Sequence, residues 1–295
     1  MSNLFEIKNL RCSYDKNFRE GISKVVLEIH HLYIPQGKKI FIVGESGIGK
    51  STILETLGLM NNTIVPDKDS VFCFDDGNGN KADLLSLWRN NDDKLMSEFR
   101  LKHYSFIFQS TNLMKNFTAF ENVAFTRMLQ GYDAQSCYQK AKEILKDLGL
   151  EHVNEVRMAQ ELSGGQQQRL AFARAILPSF TVLFGDEPTG NLDGENAVRV
   201  MNILRKKLDE LNNASAIIVS HDMHLAVSFA DMIIKIRKEL RPKKHQYDED
   251  ISYGVIDESC VFVPSIVDGK TMWCNKSERF DSEEFEYFLR KKTFE

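Results

Sequence analysis

The chain has no apolar run approaching the roughly 18 residues that a membrane-crossing helix requires. Its first residues, MSNLFEIKNL, set no basic stretch ahead of an apolar one, so no secretory signal is read there. The expectation is a soluble protein, with any membrane role acting through a partner. Paired cysteines are missing as well. Cys12, Cys73, Cys137, Cys260 and Cys274 are odd in number and scattered, and none forms a C-x-x-C pair. That argues against a zinc site and a disulfide framework, and it fits a reducing compartment. Net charge is small: 38 basic against 42 acidic side chains leave −4. Such a balance argues against a general nucleic-acid surface. No repeat or low-complexity tract stands out.

What the sequence does contain is alternation. With 295 residues, 42% of them hydrophobic, it can build a substantial core in one large domain or two modest ones. LFEIKNL and VVLEIHHLYI read as strands, and KKIFIVG as a short strand at the buried centre of a sheet. A helix is expected from Lys50 to about Met60. A segment rich in Asn and Asp follows, with a hairpin at FCFDDGNGNKADLL and a helix running into MSEFRLKH. In DDGNGNKAD, Lys81 and Leu87 stand where a calcium loop needs Gly and Glu, so it reads as a turn. The strand YSFIFQ comes next, then a helical pattern from Ala119 to Leu148 broken near Gly131. A helix after Gly165, the strand TVLFGDE, a long helix from Gly194, the strand SAIIVSH, another helix and the strand MIIKI complete the series. Strands alternating with helices predict an α/β fold with a parallel, three-layer core. From Arg237, RKELRPKKHQYDED reads as a linker or exposed loop. Beyond it short strands lead to the amphipathic helix DSEEFEYFLRKK, with Asp281 as its N-cap and Phe285, Phe288 and Leu289 on one face.

Two stretches carry recognisable chemistry. GESGIGKS, from Gly44 through Glu45, Ser46, Gly47, Ile48, Gly49 and Lys50 to Ser51, matches the G-x-x-x-x-G-K-[ST] phosphate loop, with Thr52 continuing into the helix. Glycines let successive N–H groups turn toward the phosphates, Lys50 pairs with the β- and γ-phosphates, and the Ser51 hydroxyl ligates Mg²⁺. In TVLFGDEP, an apolar strand delivers Asp186 to its C-terminal edge, where it would hold Mg²⁺. Glu187 beside it has the chemistry of a general base for an attacking water.

With these in place, Leu162-Ser163-Gly164-Gly165-Gln166 resembles the signature run of ABC ATPases, a likeness extending from about Leu4 to Ile236. The resemblance implies a P-loop NTPase fold with a parallel sheet core, an N-terminal antiparallel β-subdomain and a helical signature subdomain over about 110–180. It divides the chain into an ATPase domain, 1–237, and a C-terminal extension, 238–295. It implies ATP and Mg²⁺ as cofactors, Tyr14 stacking on adenine, and Gln109 sensing Mg²⁺ and the transport partner. It also makes His221 the switch histidine at the γ-phosphate and Asp193, in Asn191-Leu192-Asp193, part of a loop crossing a dimer interface. In the family, two cassettes pair head to tail, and the signature run of one faces the phosphate loop of the other. A homodimer is therefore expected.

PTGNLD and FIFQSTNLMKNFTAFENV are similar to the lipoprotein-release, macrolide-export and cell-division subgroup. That likeness implies an integral membrane permease as partner, received in a groove near Gln109–Glu121 that includes Phe117, Thr118 and Phe120. It also implies a cytoplasmic protein held at the membrane face, with no nucleic-acid partner. An importer subunit and a soluble, non-transport ABC ATPase are the alternatives. The latter is opposed by the single cassette and the absence of zinc modules or a coiled coil between the motifs, and a non-hydrolysing scaffold is opposed by Glu187 and His221. The long segment from Asn61 to Arg100 is expected to alter a peripheral β-subdomain. The tail reads as an added packing element with a possible share in an interface.

Overall fold

Side-chain alternation sets the first strands. In β1 (Asn3–Ser13), Phe5, Ile7, Leu10 and Cys12 are buried while Glu6, Lys8 and Arg11 are half-exposed. The change of phase falls at Asn9, whose φ is 47°, where the ladder with the neighbouring strand shifts register. Such a shift keeps the apolar set on one face. The computed structural model describes residues 3–15, 25–90, 92–153, 155–241 and 252–291. They fall into two units, Met1–Met96 with Val219–Glu295 and Ser97–Ile218, each taken here by itself.

In the first unit, β1 lies between β2 (Val25–Pro35) and β4 (Ile64–Asp75), antiparallel to both. A second group contains β3 (Lys39–Val43) and, late in the chain, β9 (Met232–Lys235), which run parallel. Four residues of β3, Ile40–Val43, are fully buried, as its unbroken apolar run requires. β3 leads through the Gly44–Gly49 loop into α1 (Lys50–Leu57). β5 (Lys81–Asp83) closes a hairpin on β4, and Asp76 makes the turn by accepting the amides of Asn78 and Asn80. α2 (Leu84–Asn90) follows.

The second unit is entered through α3 (Asp93–His103). β6 (Tyr104–Ile107) runs parallel to β7 (Val182–Asp186), and β8 (Ser215–Val219) follows as β7's other neighbour. Its helices are α4 (Ala119–Leu129), α5 (Ala134–Asp147), α6 (Gly164–Ile176) and α7 (Gly194–Glu210). α4 begins in a capping box: Thr118 Oγ1 accepts the Glu121 amide while Glu121 accepts that of Thr118. Gly131, at φ 88°, separates α4 from α5.

Returning to the first unit, α8 (Met223–Phe229) and β9 precede a segment that corrects the linker reading. Arg237–Leu240 is a strand, β10, paired antiparallel with β11 (Ser252–Ile256), and β11 runs parallel to β2. The sheet order is thus β10-β11-β2-β1-β4-β5. Polar composition hid the strand because its side chains pair with one another. Arg237 donates to Glu239 and Asp257, and the Tyr253 hydroxyl donates to Glu239. The rest of that linker expectation, 242–250, lies outside the described residues. β12 (Val261–Val267) then pairs antiparallel with β9, and β13 (Lys270–Cys274), β14 (Arg279–Phe280) and α9 (Ser282–Arg290) complete the tail. Asp281 caps α9 with a second capping box. Phe285 is fully buried, stacked on Trp273 at 5.0 Å and 4.9 Å from Phe262.

Candidate active site

The Gly44–Gly49 loop turns on glycine conformations that other residues rarely adopt. Gly47 has φ 76°, and Gly49, the N-cap of α1, has φ 102°. A Cβ on Gly49 would also press on Leu27 at 3.4 Å. Lys50 is only 7% exposed, and its ammonium folds back over the loop, donating to the carbonyls of Gly44 at 2.9 Å and Glu45 at 2.7 Å. A buried cation satisfied by two carbonyls at the start of a helix makes a strongly positive cradle, suited to phosphate. Ser46 and Ser51 are exposed and Ile48 is buried, so the loop is anchored at Ile48 and open at its serines.

Two further sequence candidates belong to the same unit. Tyr14 follows β1, is 58% exposed, and its hydroxyl lies 3.2 Å from Thr52 Oγ1 on α1. It is therefore a surface aromatic rather than a core one. Phe18, its neighbour in the sequence, falls outside the described residues. His221 is exposed and sits between Ser220 and Asp222, which caps α8 by accepting the Leu225 amide at 2.9 Å. The Ser220 amide donates to the Ile42 carbonyl, which brings His221 beside the strand that feeds the loop.

The second unit holds the other candidates. Ser163 caps α6 and exchanges hydrogen bonds with Gln166 in a capping box. A Cβ built on Gly164 meets nothing within 4 Å, and one on Gly165 meets only the Asn191 carbonyl at 3.8 Å. Both have helical backbone, so neither turn geometry nor packing within the described chain calls for glycine there. Asp186 is half-buried at the end of β7, whose preceding residues are buried. Glu187 follows with φ 50°, a left-handed conformation costing about 1 kcal/mol for a residue with a Cβ. Asp193 caps α7, accepting from the Asn196 amide at 2.9 Å and its side chain at 2.8 Å. Those hydrogen bonds hold its carboxyl below the ordinary aspartate range. Gln109 is exposed just after β6.

Several residues passed over in the sequence organise these groups. Gln168, 1% exposed in the interior of α6, donates to the Glu187 carbonyl at 3.4 Å and the Pro188 carbonyl at 3.2 Å. It also accepts from Asn191 at 3.5 Å. One side chain thus ties the signature helix to the turn that carries Glu187. Its signal in the sequence was its position: Gln168 lies where α6 turns its buried face, next to Leu170 and Ala171. Arg174 holds the segment after Gln109 through the carbonyls of Thr111 and Asn112. Asn122, fully buried, bonds the Met114 amide and the Met114 and Thr118 carbonyls.

The segment Gln109–Glu121, expected to line a groove for the permease, is fixed where it enters α4. Phe120 is 5% exposed, and Thr118 and Glu121 are engaged in their capping box. A groove of about 710 Å³ opens against α5 and the segment after it, lined by Phe120, Leu145, Leu150, Val153 and Val156. Of the residues named after Gln109, Phe120 alone contributes to it. Thr118 and Glu121 are held by the helix cap, which satisfies amides of the first turn of α4, and Phe117 packs edge-on against Phe125 at 5.6 Å.

Comparison with known proteins shows what the chain as a whole is similar to. The family model "ABC transporter" matches residues 27–190. The chain is 35% identical over 232 residues to the lipoprotein-releasing system ATP-binding protein LolD of Colwellia psychrerythraea, covering 78% of this chain and 84% of LolD. It is 36% identical over 236 residues to the macrolide export ATP-binding/permease protein MacB of Aggregatibacter actinomycetemcomitans, covering 80% of this chain but 33% of that protein. Among solved structures, the dimeric bacterial ABC transporter cassette MJ0796 superposes with a TM-score of 0.64 at 29% identity, covering 78% of this chain and 93% of the cassette. Its post-hydrolysis state bound to ADP and Pi superposes with a TM-score of 0.63 at 27% identity, with the same coverage.

Proposed function

This chain belongs to the ABC transporter family and is an ATPase, and on that premise we propose that it works as one half of an ATP-bridged homodimer driving a membrane permease. The observation that carries the split site is the glycine start of α6, which Ser163 caps. Ser163 and Gly164 are exposed and Gly165 half-exposed, and nothing among the described residues calls for two glycines. Glycine there serves close approach by something outside the subunit, and a capped helix start favours an anion. In this reading that anion is the γ-phosphate held by the phosphate loop of a second copy.

Within one copy, Lys50 exchanges the carbonyls of Gly44 and Glu45 for the β- and γ-phosphates, and the amides of Gly47–Lys50 close around them. Tyr14 offers its exposed ring to the adenine. Ser51 and Asp186 each offer a hard oxygen donor suited to Mg²⁺, and Gln109 would report on that ion to the permease. Bound Mg²⁺ would neutralise charge developing on the phosphates. Glu187 accepts the proton of the attacking water, and its position depends on the turn that Gln168 clasps. His221 contacts the γ-phosphate and marks its departure. Asp193 caps α7 and presents the Asn191–Asp193 loop to the second copy. Closure of the dimer is thereby linked to the charge that hydrolysis removes.

The permease is proposed from the two relatives' names, one a lipoprotein-releasing system and one a macrolide export protein. Docking on such a partner would hold the chain at the cytoplasmic membrane face. Among the described residues, no helix is long and apolar enough to cross a membrane.

Glu187→Gln is the direct test. It should lower turnover at least about 100-fold, the scale of a lost general base, while trapping an ATP-bound dimer in size-exclusion chromatography. A variant that stays monomeric at saturating ATP overturns the split site. Lys50→Ala should abolish ATP binding in calorimetry, and unaltered affinity would overturn the phosphate-loop assignment.

A further inference from the structure

The C-terminal strands reach the phosphate loop from a side that the mechanism above does not use. β10 brings Lys238 to Glu45, the second residue of the loop, with Nζ 2.9 Å from Oε2. Both side chains are about one-quarter exposed, at 26% and 24%. β11 lays the backbone of Gly254 against Ile48. A Cβ on Gly254 would run into the Ile48 carbonyl oxygen and lie 2.8 Å from Ile236 Cγ2. Side-chain bulk is therefore excluded from this rung by contact, not by backbone conformation. Lys238 and Gly254 are ladder partners, and Gly254 in turn faces Leu27 of β2. The ion pair and the close approach are thus one structural unit, held by the sheet.

Glu45 is an awkward residue for its position. A carboxylate in a loop built to receive a polyphosphate repels its own ligand, and proximity to the helix start does not remove that repulsion. Lys238 supplies a counter-charge and turns the carboxylate toward β10. We propose that Lys238 is a positioning residue for ATP: by pairing with Glu45 it offsets the loop's own negative charge, making the C-terminal strands part of the nucleotide site. This inference rests on the phosphate-loop reading above.

The test uses the full chain and MgATP. Lys238→Met keeps the aliphatic stem and removes the charge. It should raise the Kd for MgATP roughly fivefold, the scale expected when a largely shielded ion pair is lost beside other charges. The loss should shrink as salt rises, and in turnover it should fall on KM rather than kcat. Lys238→Arg, which keeps the charge, should restore affinity. In a Glu45→Gln background, Lys238→Met should leave Kd unchanged within about twofold, because the charge it answers is gone. An unchanged Kd in Lys238→Met overturns the proposal, as does an equal, salt-independent loss in both backgrounds. Lys50→Ala separates the two claims. If it binds ATP normally, the loop reading itself fails, whereas loss of binding there with a silent Lys238→Met removes only this inference.

Discussion

A single buried amide shows how much depends on individual side chains. Gln168 donates to two carbonyls in the turn that carries Glu187, and Glu187 sits at φ 50°. Gln168→Leu fills nearly the same volume but leaves those carbonyls without their donor. The expected cost is about 1–3 kcal/mol in stability, read by chemical denaturation, with a fall in kcat larger than any change in KM. A variant of wild-type kcat would show that Glu187 is positioned without it. Cys12 makes a different point. Buried in β1, its thiol is pushed up from 9.0 to about 11, desolvation outweighing its contacts with Thr56 and Thr63. A raised thiol pKa favours the neutral form in the folded state, so unfolding releases a proton above pH 9. Cys12 should therefore withdraw stability as pH climbs from about 9 to about 11, while having no effect below. Denaturation midpoints of Cys12→Ser and the parent chain across that window should converge with rising pH.

Helices and strands here are ordered by what they pack against. α9 has a strong cap in Asp281, but at nine residues it is too short to persist in water by propensity alone. Its apolar face supplies the stability: Phe285 lies fully buried among Trp273, Phe262 and Phe280. Phe285→Ala should cost about 3–5 kcal/mol by loss of burial and the cavity left behind, measured as a lowered melting temperature. Lys235 of β9 ties the same helix down, lying 3.8 Å over the Phe288 ring and donating to the Phe288 carbonyl at 2.7 Å. Burial pushes its ammonium below the ordinary lysine range. β10 is the counterexample among strands. Its run Arg237-Lys238-Glu239-Leu240 is mostly charged and part-exposed, so hydrophobic periodicity passes over it although it borders the phosphate loop.

For the whole molecule, the decisive question is whether one chain suffices. If each ATP is shared between copies, two different inactive variants should complement. Lys50→Ala keeps an intact signature run, and Ser163→Arg keeps an intact phosphate loop. A mixture should retain nucleotide and turn over in its heterodimers, whereas each variant alone should not. Absence of recovery, with heterodimers demonstrated, would refute sharing. Co-purification from membranes should also bring down an integral membrane protein, and recovery of ribosomal or nucleic-acid partners alone would reject the permease.

Much of this was legible in the residues because it is local. Apolar runs such as KKIFIVG and TVLFGDE set buried strands, since short runs rich in β-branched and aromatic residues fit a strand covered on both faces. GESGIGKS and LSGGQ carry their chemistry through glycine spacing and adjacent helix starts, which neighbouring residues dictate. The family, the fold class and the ATPase activity followed from those runs. What tertiary structure decided depends on contacts between residues far apart in the chain. Lys238 meets Glu45 across 193 positions, and Gly254 meets Ile48 only because β11 joins β2. Gln168 reaches Glu187 because α6 packs where β7 ends its turn. Periodicity records which way a side chain faces along its own element, and it holds no information about which distant group stands opposite.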